Sequence, residues 1–293
     1  MLIDVITDTI IDALKILPFL WITFFILEVV EHKFQTKTTN IMKTSGKYGP
    51  LLGGIVGLFP QCGFSVMATN LYITRIITLG TLISVYLTTS DEMLPILLAN
   101  GIKINEIIKI LGVKFLFGVL YGIIIDLIFH NTTNTAKKEK TMDDICQKDH
   151  CHCENGLILS SLKHTLKILL FIIAVSFFLN IIMAIGGEDI LRKYLHHNTV
   201  LSPLLTSLIG LIPNCGASVI LTELYLNRLI TFASAIAGLL TGSGVALIVL
   251  LRSNNNKKEN IRIILLVYFL GAISGILLEI IEYLFWGEQW KKN

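Results

Sequence analysis

Charge is what this chain has least of. Lysine, arginine, aspartate and glutamate together supply 15% of its 293 residues, against 53% hydrophobic, and mean hydropathy is +0.72. That balance excludes an ordinary soluble domain and places the chain in lipid. Nowhere does G-x-x-x-x-G-K-[ST] occur, which argues against ATP coupling within this polypeptide. The seven histidines (His32, His130, His150, His152, His164, His196 and His197) lie in loops or near the ends of apolar stretches. A cysteine nucleophile would therefore lack its usual base. The first apolar stretch, Ile11 to Val30, follows Asp4 and Asp8 rather than lysines and has no small-residue cleavage site, which predicts a retained span rather than a signal peptide.

What is present is present twice. Pro50 to Thr78 (PLLGGIVGLFPQCGFSVMATNLYITRIIT) and Pro203 to Thr231 (PLLTSLIGLIPNCGASVILTELYLNRLIT) align without a gap, with 16 of 29 positions identical. The register continues: Thr88 falls on Thr241, Ser90 on Ser243, Gly118 on Gly271, Gly122 on Gly275 and Asp126 on Glu279. Two copies of an apolar unit are the sequence signature of a membrane transporter. The expected organisation is a first transmembrane repeat (1–130), a polar connector (131–160) and a second transmembrane repeat (161–293). The expected fold class is all-α, with two inverted repeats whose broken or re-entrant helices meet at the midplane.

Each unit is interrupted. Leu51 to Phe59 is too short to cross a hydrocarbon core about 30 Å thick, and Pro60-Gln61-Cys62-Gly63 breaks it before Phe64 to Tyr72 resumes. Proline removes an amide donor, so backbone groups are freed at membrane depth, where they must be buried in protein or line a wet cavity. A second break, Thr88-Thr89-Ser90-Asp91-Glu92, matches Thr241-Gly242-Ser243-Gly244. Paired interruptions point to a substrate site. Loop charge gives orientation. Lys33, Lys37, Lys43 and Lys47 crowd the 32–48 loop, and Arg252, Lys257, Lys258 and Arg262 crowd 252–262, whereas the loops equivalent to these are less basic. Opposite bias in equivalent loops fits inverted units with an odd number of crossings: five short spans each, or three spans and a re-entrant hairpin. The N-terminus then lies outside and the connector in the cytoplasm, in a multi-pass protein of the cell membrane.

Cys62 and Cys215 occupy the same place in P-[QN]-C-G-x-S. Thiolates suit soft ions, and Gln61, Ser65, Asn214 and Ser218 stand beside them. The alternative is a small apolar residue packed in a tight turn. Asp91 and Glu92 are intramembrane acids, replaced by Gly244 and Val245 in the second repeat. Such carboxylates bind cations or carry protons, unless they cap the next helix at an interface. With Ser90 and Ser243 they complete the expected substrate site. Glu28 aligns with Asn180 and Glu223 with Asn70, so each pair keeps one charge; Glu28, Glu223 and Asp91 are the expected proton or ion couplers. Arg75 and Arg228 recur three residues after a tyrosine and either snorkel, pair with Asp91 or Glu223, or attract an anion. Asp126 and Glu279 read as interfacial anchors. The G-x-x-x-G of Gly118/Gly122 and Gly271/Gly275 reads as close helix packing.

The connector carries Cys146, His150, Cys151, His152 and Cys153, enough soft and borderline ligands for a metal ion, though not at zinc-finger spacing. It is expected to capture metal near the inner mouth; the alternative is a disordered segment with incidental ligands.

The P-Q-C-G break, L-Y-x-x-R, T-T-S-D-E-M-L-P and the ligand-rich connector together resemble the ten-span heavy-metal exporter family, distant relatives of the ArsP organoarsenical permeases. The likeness rests on Pro60, Cys62, Gly63, Arg75, Ser90, Asp91 and Glu92, extended by Pro213, Cys215 and Gly216. Relatives often carry a second cysteine in the first break, and its lack here counts against a thiol-trapped arsenical. The resemblance implies efflux of a heavy metal, arsenic or manganese. The expected function is a secondary transporter exporting a divalent or soft metal ion, or a metalloid, by alternating access. Its alternatives are a carrier of an oxyanion or small organic anion using Arg75 and Arg228, and an intramembrane cysteine enzyme. No tightly bound cofactor is expected beyond a transported metal ion. The expected partners are membrane lipid, a small inorganic ion and a second copy of the chain, and no nucleic acid.

Overall fold

The computed structural model describes residues 46–129 and 200–286, with scattered positions in 18–42 and 166–174; Asp91, Asn214, Cys215 and the side chains of Lys47, Cys62, Phe285 and Trp286 lie outside that description. Among the described residues every regular element is helical and none is a strand. After a short 3-10 turn (Gly46–Tyr48) come α1 (Gly49–Gly57), α2 (Cys62–Ile73), α3 (Leu79–Thr88), α4 (Met93–Ala99) and α5 (Ile104–Ile128). The second repeat gives the same series: α6 (Leu201–Gly210), α7 (Gly216–Leu226), α8 (Phe232–Thr241), α9 (Ala246–Ser253) and α10 (Lys257–Trp286). The expected spans Ile11 to Val30 and Leu166 to Ile185 fall almost wholly outside the described residues.

The interruptions fall where proline, glycine and short polar residues predicted them, with their edges shifted by one or two residues. Residues 58–61 form the first break, so Cys62 and Gly63 already belong to α2, with Gln61 extended (φ −147°, ψ 123°) as its N-cap. Pro60 explains this: lacking an N–H and fixing φ, it ends one helix, and the chain re-enters helical geometry two residues on. Thr88 and Thr241 likewise remain helical, leaving 89–92 and 242–245 as the second pair of breaks. At nine residues α1 spans about 14 Å, far short of a bilayer core. Four longer segments are long and apolar enough to cross: Leu79–Ala99 (α3 and α4), Ile104–Ile128, Phe232–Ser253 (α8 and α9) and Lys257–Leu284. The protein is therefore a multi-pass membrane protein.

The two broken segments are central. Leu79–Ala99 and Phe232–Ser253 are 82% and 78% buried, whereas α5 and the α10 span are 28% and 39% buried and turn Leu116, Leu120, Leu127, Ile273 and Leu277 outward. Within each repeat the packing is the same: α1 and α5 flank α3, and α6 and α10 flank α8. Between repeats it is reciprocal. α3 meets α8, α2 packs on α9 while α7 packs on α4, and α5 touches α8 while α10 touches α3.

Lipid tails are as apolar as leucine, so these contacts depend on close backbone approach. A Cβ on Gly118 would lie 2.5 Å from Thr88 Cγ2, and one on Gly271 would lie 2.4 Å from Thr241 Cγ2. Gly122 and Gly275 would each come 2.9 Å from a proline Cβ, of Pro50 and Pro203. The paired G-x-x-x-G motifs thus seat α3 on α5 and α8 on α10, as their spacing implied.

The recurrent acids cap the central helices. Thr78 and Thr231 are the N-caps of α3 and α8, accepting from Thr81 N and Ser234 N at 3.1 Å each. Asp126 accepts from Thr78 Oγ1 (2.6 Å) and Gly80 N (2.8 Å); Glu279 accepts from Thr231 Oγ1 (2.5 Å). A carboxylate at a helix N-terminus meets unpaired N–H groups and the positive end of the dipole. Asp126 and Glu279 therefore orient the central helices.

Candidate functional site

The polar residues of the breaks are buried. Thr88, Thr89, Ser90 and Glu92 are between 0% and 3% exposed, and so are Thr241 and Ser243. A helix end leaves its last carbonyls without intrahelical donors. Hydroxyls nearby bond back to the preceding turn: Thr88 Oγ1 to Ser84 O (2.8 Å), Thr89 Oγ1 to Val85 O (2.7 Å) and Ser90 Oγ to Thr88 O (3.2 Å). Across the repeat, Thr241 Oγ1 donates to Ser207 O at 2.9 Å, tying α8 to α6. Ser243 Oγ is buried and has no hydrogen-bond partner among the described residues.

Glu92 brings the repeats together. It stands at the start of α4, and its Oε2 accepts from Ser218 Oγ (3.4 Å) on α7. Ser218 lies three residues after Cys215, so an acid of one repeat's second break meets the helix that leaves the other repeat's first break. Below it the two repeats match: Thr222 Oγ1 donates to Ser218 O (2.6 Å) and Thr69 Oγ1 to Ser65 O (2.8 Å), with Thr69 also bonded to Tyr86 OH (2.7 Å). Glu223, one position on from Thr222, is buried at 8% exposure and has no hydrogen bond from its carboxylate to another described residue.

Sequence reasoning passed over a lysine here. Lys114, midway along α5, is 0% exposed. Its Nζ donates to Thr89 O, in the first repeat's break, and to Leu239 O (2.9 Å), in the last turn of α8. Its counterpart by register is Val267. A charge midway along a 25-residue membrane-spanning helix, well before the capping Asp126 and in an apolar stretch between Ile110 and Ile125, is costly enough to have been a signal.

The two arginines stand at the ends of α2 and α7. Arg75 (φ +62°) and Arg228 (φ +56°) are left-handed, the only non-glycine residues so placed among those described. Arg75 N bonds Tyr72 O (2.9 Å) and Ile76 N bonds Leu71 O (2.8 Å), and the pattern repeats from Arg228 to Tyr225 and Leu229 to Leu224. This is the Schellman closure, which usually carries glycine. Arg75 grips Glu259 with two bonds, Nη1 to Oε1 (2.7 Å) and Nη2 to Oε2 (2.9 Å), while Tyr72 OH donates to Oε1 (2.5 Å). The hydrogen bond to Glu259 raises the guanidinium's pKa above its ordinary value. The carboxylate that holds Arg75 is thus neither Asp91 nor Glu223, but Glu259, whose equivalent in the first repeat is Glu106. Glu106 accepts from Lys109 Nζ at 2.8 Å.

Gln61 caps α2 without a side-chain cap bond, and Ser65 is fully buried. Among the described residues no three metal-ligating side chains cluster. The Cys62 side chain, Cys215, Asn214, Asp91, Glu28 and the connector residues Cys146, His150, Cys151, His152 and Cys153 lie outside the described residues.

A multi-pass bundle of duplicated, broken helices, with buried acid, amine and hydroxyl groups gathered at the breaks, defines a membrane transporter. The chain belongs to the ArsP_2 family, described as "Putative, 10TM heavy-metal exporter", which it matches over residues 1–188 and again over 166–290. No curated protein and no solved structure matches it.

Proposed function

We propose that this protein is a secondary transporter that exports a heavy-metal ion from the cytoplasm by alternating access. The observation that carries the reading is the contact of Glu92 with Ser218, which joins a break of the first repeat to the helix following a break of the second. Reciprocal packing of α2 on α9 and α7 on α4 supports a two-fold relation between the repeats, and the opposite lysine and arginine bias of equivalent loops supports its inversion. On this reading Cys62 and Cys215, with Gln61, Asn214, Ser65, Ser218, Ser90, Asp91, Glu92 and Ser243, bind the cargo. Glu28, Glu223 and Asp91 exchange it for protons, and the connector thiols and imidazoles concentrate it at the inner mouth. The cell membrane is the compartment this implies, with the N-terminus outside. Soft ions suit the thiols, and the carboxylates extend the range towards manganese. The anion reading loses support at Arg75, because Glu259 already holds that guanidinium through both carboxylate oxygens.

The test is flux in proteoliposomes presented with zinc, cadmium, copper(I), manganese, arsenite and phosphate. One of the metal ions should move in exchange for protons that run down an oppositely directed gradient, and stop moving in Glu92→Gln. Transport of phosphate alone, indifferent to Glu92→Gln and lost in Arg228→Ala, would overturn the metal reading.

A further inference from the structure

We propose that the Lys114 ammonium is a tethered cation occupying a carbonyl site shared by the two repeats, the place where an alkali ion would otherwise bind. The argument begins with which carbonyls it serves. Leu239 O lies in the last turn of α8, where the helical partner would be the N–H of residue 243; Ser243 N instead turns back to Thr241 O (3.0 Å). Thr89 O belongs to the non-helical link between α3 and α4. Both carbonyls are therefore left without a helical donor by the breaks, and both belong to buried residues, Thr89 at 2% and Leu239 at 4% exposure. One amine, with three hydrogens and no lone pair when protonated, satisfies an acceptor from each repeat. Unwound carbonyls at membrane depth are also what coordinates sodium in transporters with broken helices. A lysine on a neighbouring helix places its nitrogen where such an ion would sit.

Two further observations agree. The site is built on one side of the duplication only, since the register places Val267 opposite Lys114, just as Gly244 and Val245 stand opposite Asp91 and Glu92. The fixed cation and the intramembrane acids thus occur in the same repeat. In the equivalent break of the second repeat, Ser243 Oγ is fully buried with no partner among the described residues, an oxygen donor of the kind a hard cation takes. The consequence for the transport cycle, which rests on the exporter reading above, is that flux does not draw on sodium or potassium.

The test uses the full chain in detergent, with Lys114→Ala and Lys114→Gln, melted in sodium, potassium or N-methyl-D-glucamine chloride at equal ionic strength. The wild type should melt at one temperature in all three. Both variants should melt lower in N-methyl-D-glucamine and recover saturably with sodium or potassium, by about 5 °C at a hundredfold excess over Kd. A variant that folds only when an alkali ion is present counts the same way. Variants that are as stable as wild type in every salt, or that fail in every salt, would overturn the proposal. Because melting needs no cargo, this outcome is independent of which metal, if any, the proteoliposomes transport.

Discussion

Arg75 and Glu259 are joined by two near-parallel hydrogen bonds of 2.7 and 2.9 Å, one residue from the end of α2 and the other from the first turn of α10. The arginine reaches this pairing from a left-handed backbone that costs a non-glycine residue about 1–2 kcal/mol. Arg75→Gly should relieve that strain while losing the pair, whereas Arg75→Ala loses the pair and keeps the strain. The glycine variant is expected to melt about 3 °C above the alanine variant, the shift corresponding to about 1 kcal/mol at this chain length. Equal melting temperatures would show that the backbone conformation stores nothing.

The α3–α5 contact has an internal control on one helix. A Cβ on Gly122 would sit 2.7 Å from Gly80 O, whereas nothing lies within 4 Å of one on Gly112. Gly122→Ala should therefore destabilise the protein by roughly 1–3 kcal/mol through overpacking. Gly112→Ala should be neutral or stabilising by up to about 1 kcal/mol, because alanine favours the helix. Thermal melting of the two variants in detergent decides it.

The caps should be equivalent across the duplication. Asp126→Ala strips acceptors from Thr78 Oγ1 and Gly80 N, and Glu279→Ala strips one from Thr231 Oγ1. Each is expected to cost about 1–2 kcal/mol of stability. Neither should change which ions compete for transport. A shift in ion preference would assign these acids to the conduction path instead.

Glu92 and Ser218 should behave as a unit. If their bond positions cargo across the repeats, the double-mutant cycle of Glu92→Gln and Ser218→Ala on metal-binding affinity will close with a coupling of about 1 kcal/mol. Additive effects would mean that the two side chains act separately.

Much of the fold was legible because it depends on local chemistry. Pro60 and Pro213 had to end helices, and Gly118 and Gly122 had to face another helix. The missed residues are those whose meaning is long-range. Lys114 sat unremarked in an apolar run because its partners, Thr89 and Leu239, lie 25 and 125 positions away. Glu259 read as part of a charged loop, although the register that pairs it with Glu106 was visible. Duplication tells which residues are equivalent; it does not tell which touch, since contacts between the repeats follow from how the helices cross.

The central claim is that the two breaks form one cargo site between the repeats. Its most direct measurement is cadmium binding by a chain in which Cys146, Cys151 and Cys153 are replaced by serine, leaving only Cys62 and Cys215 as thiols. The account predicts one ion per chain with thiolate-to-cadmium absorption, abolished by either Cys62→Ser or Cys215→Ser and weakened about tenfold or more, at least 1.4 kcal/mol, by Glu92→Gln. No binding, or two independent ions each lost with only one cysteine, would contradict it.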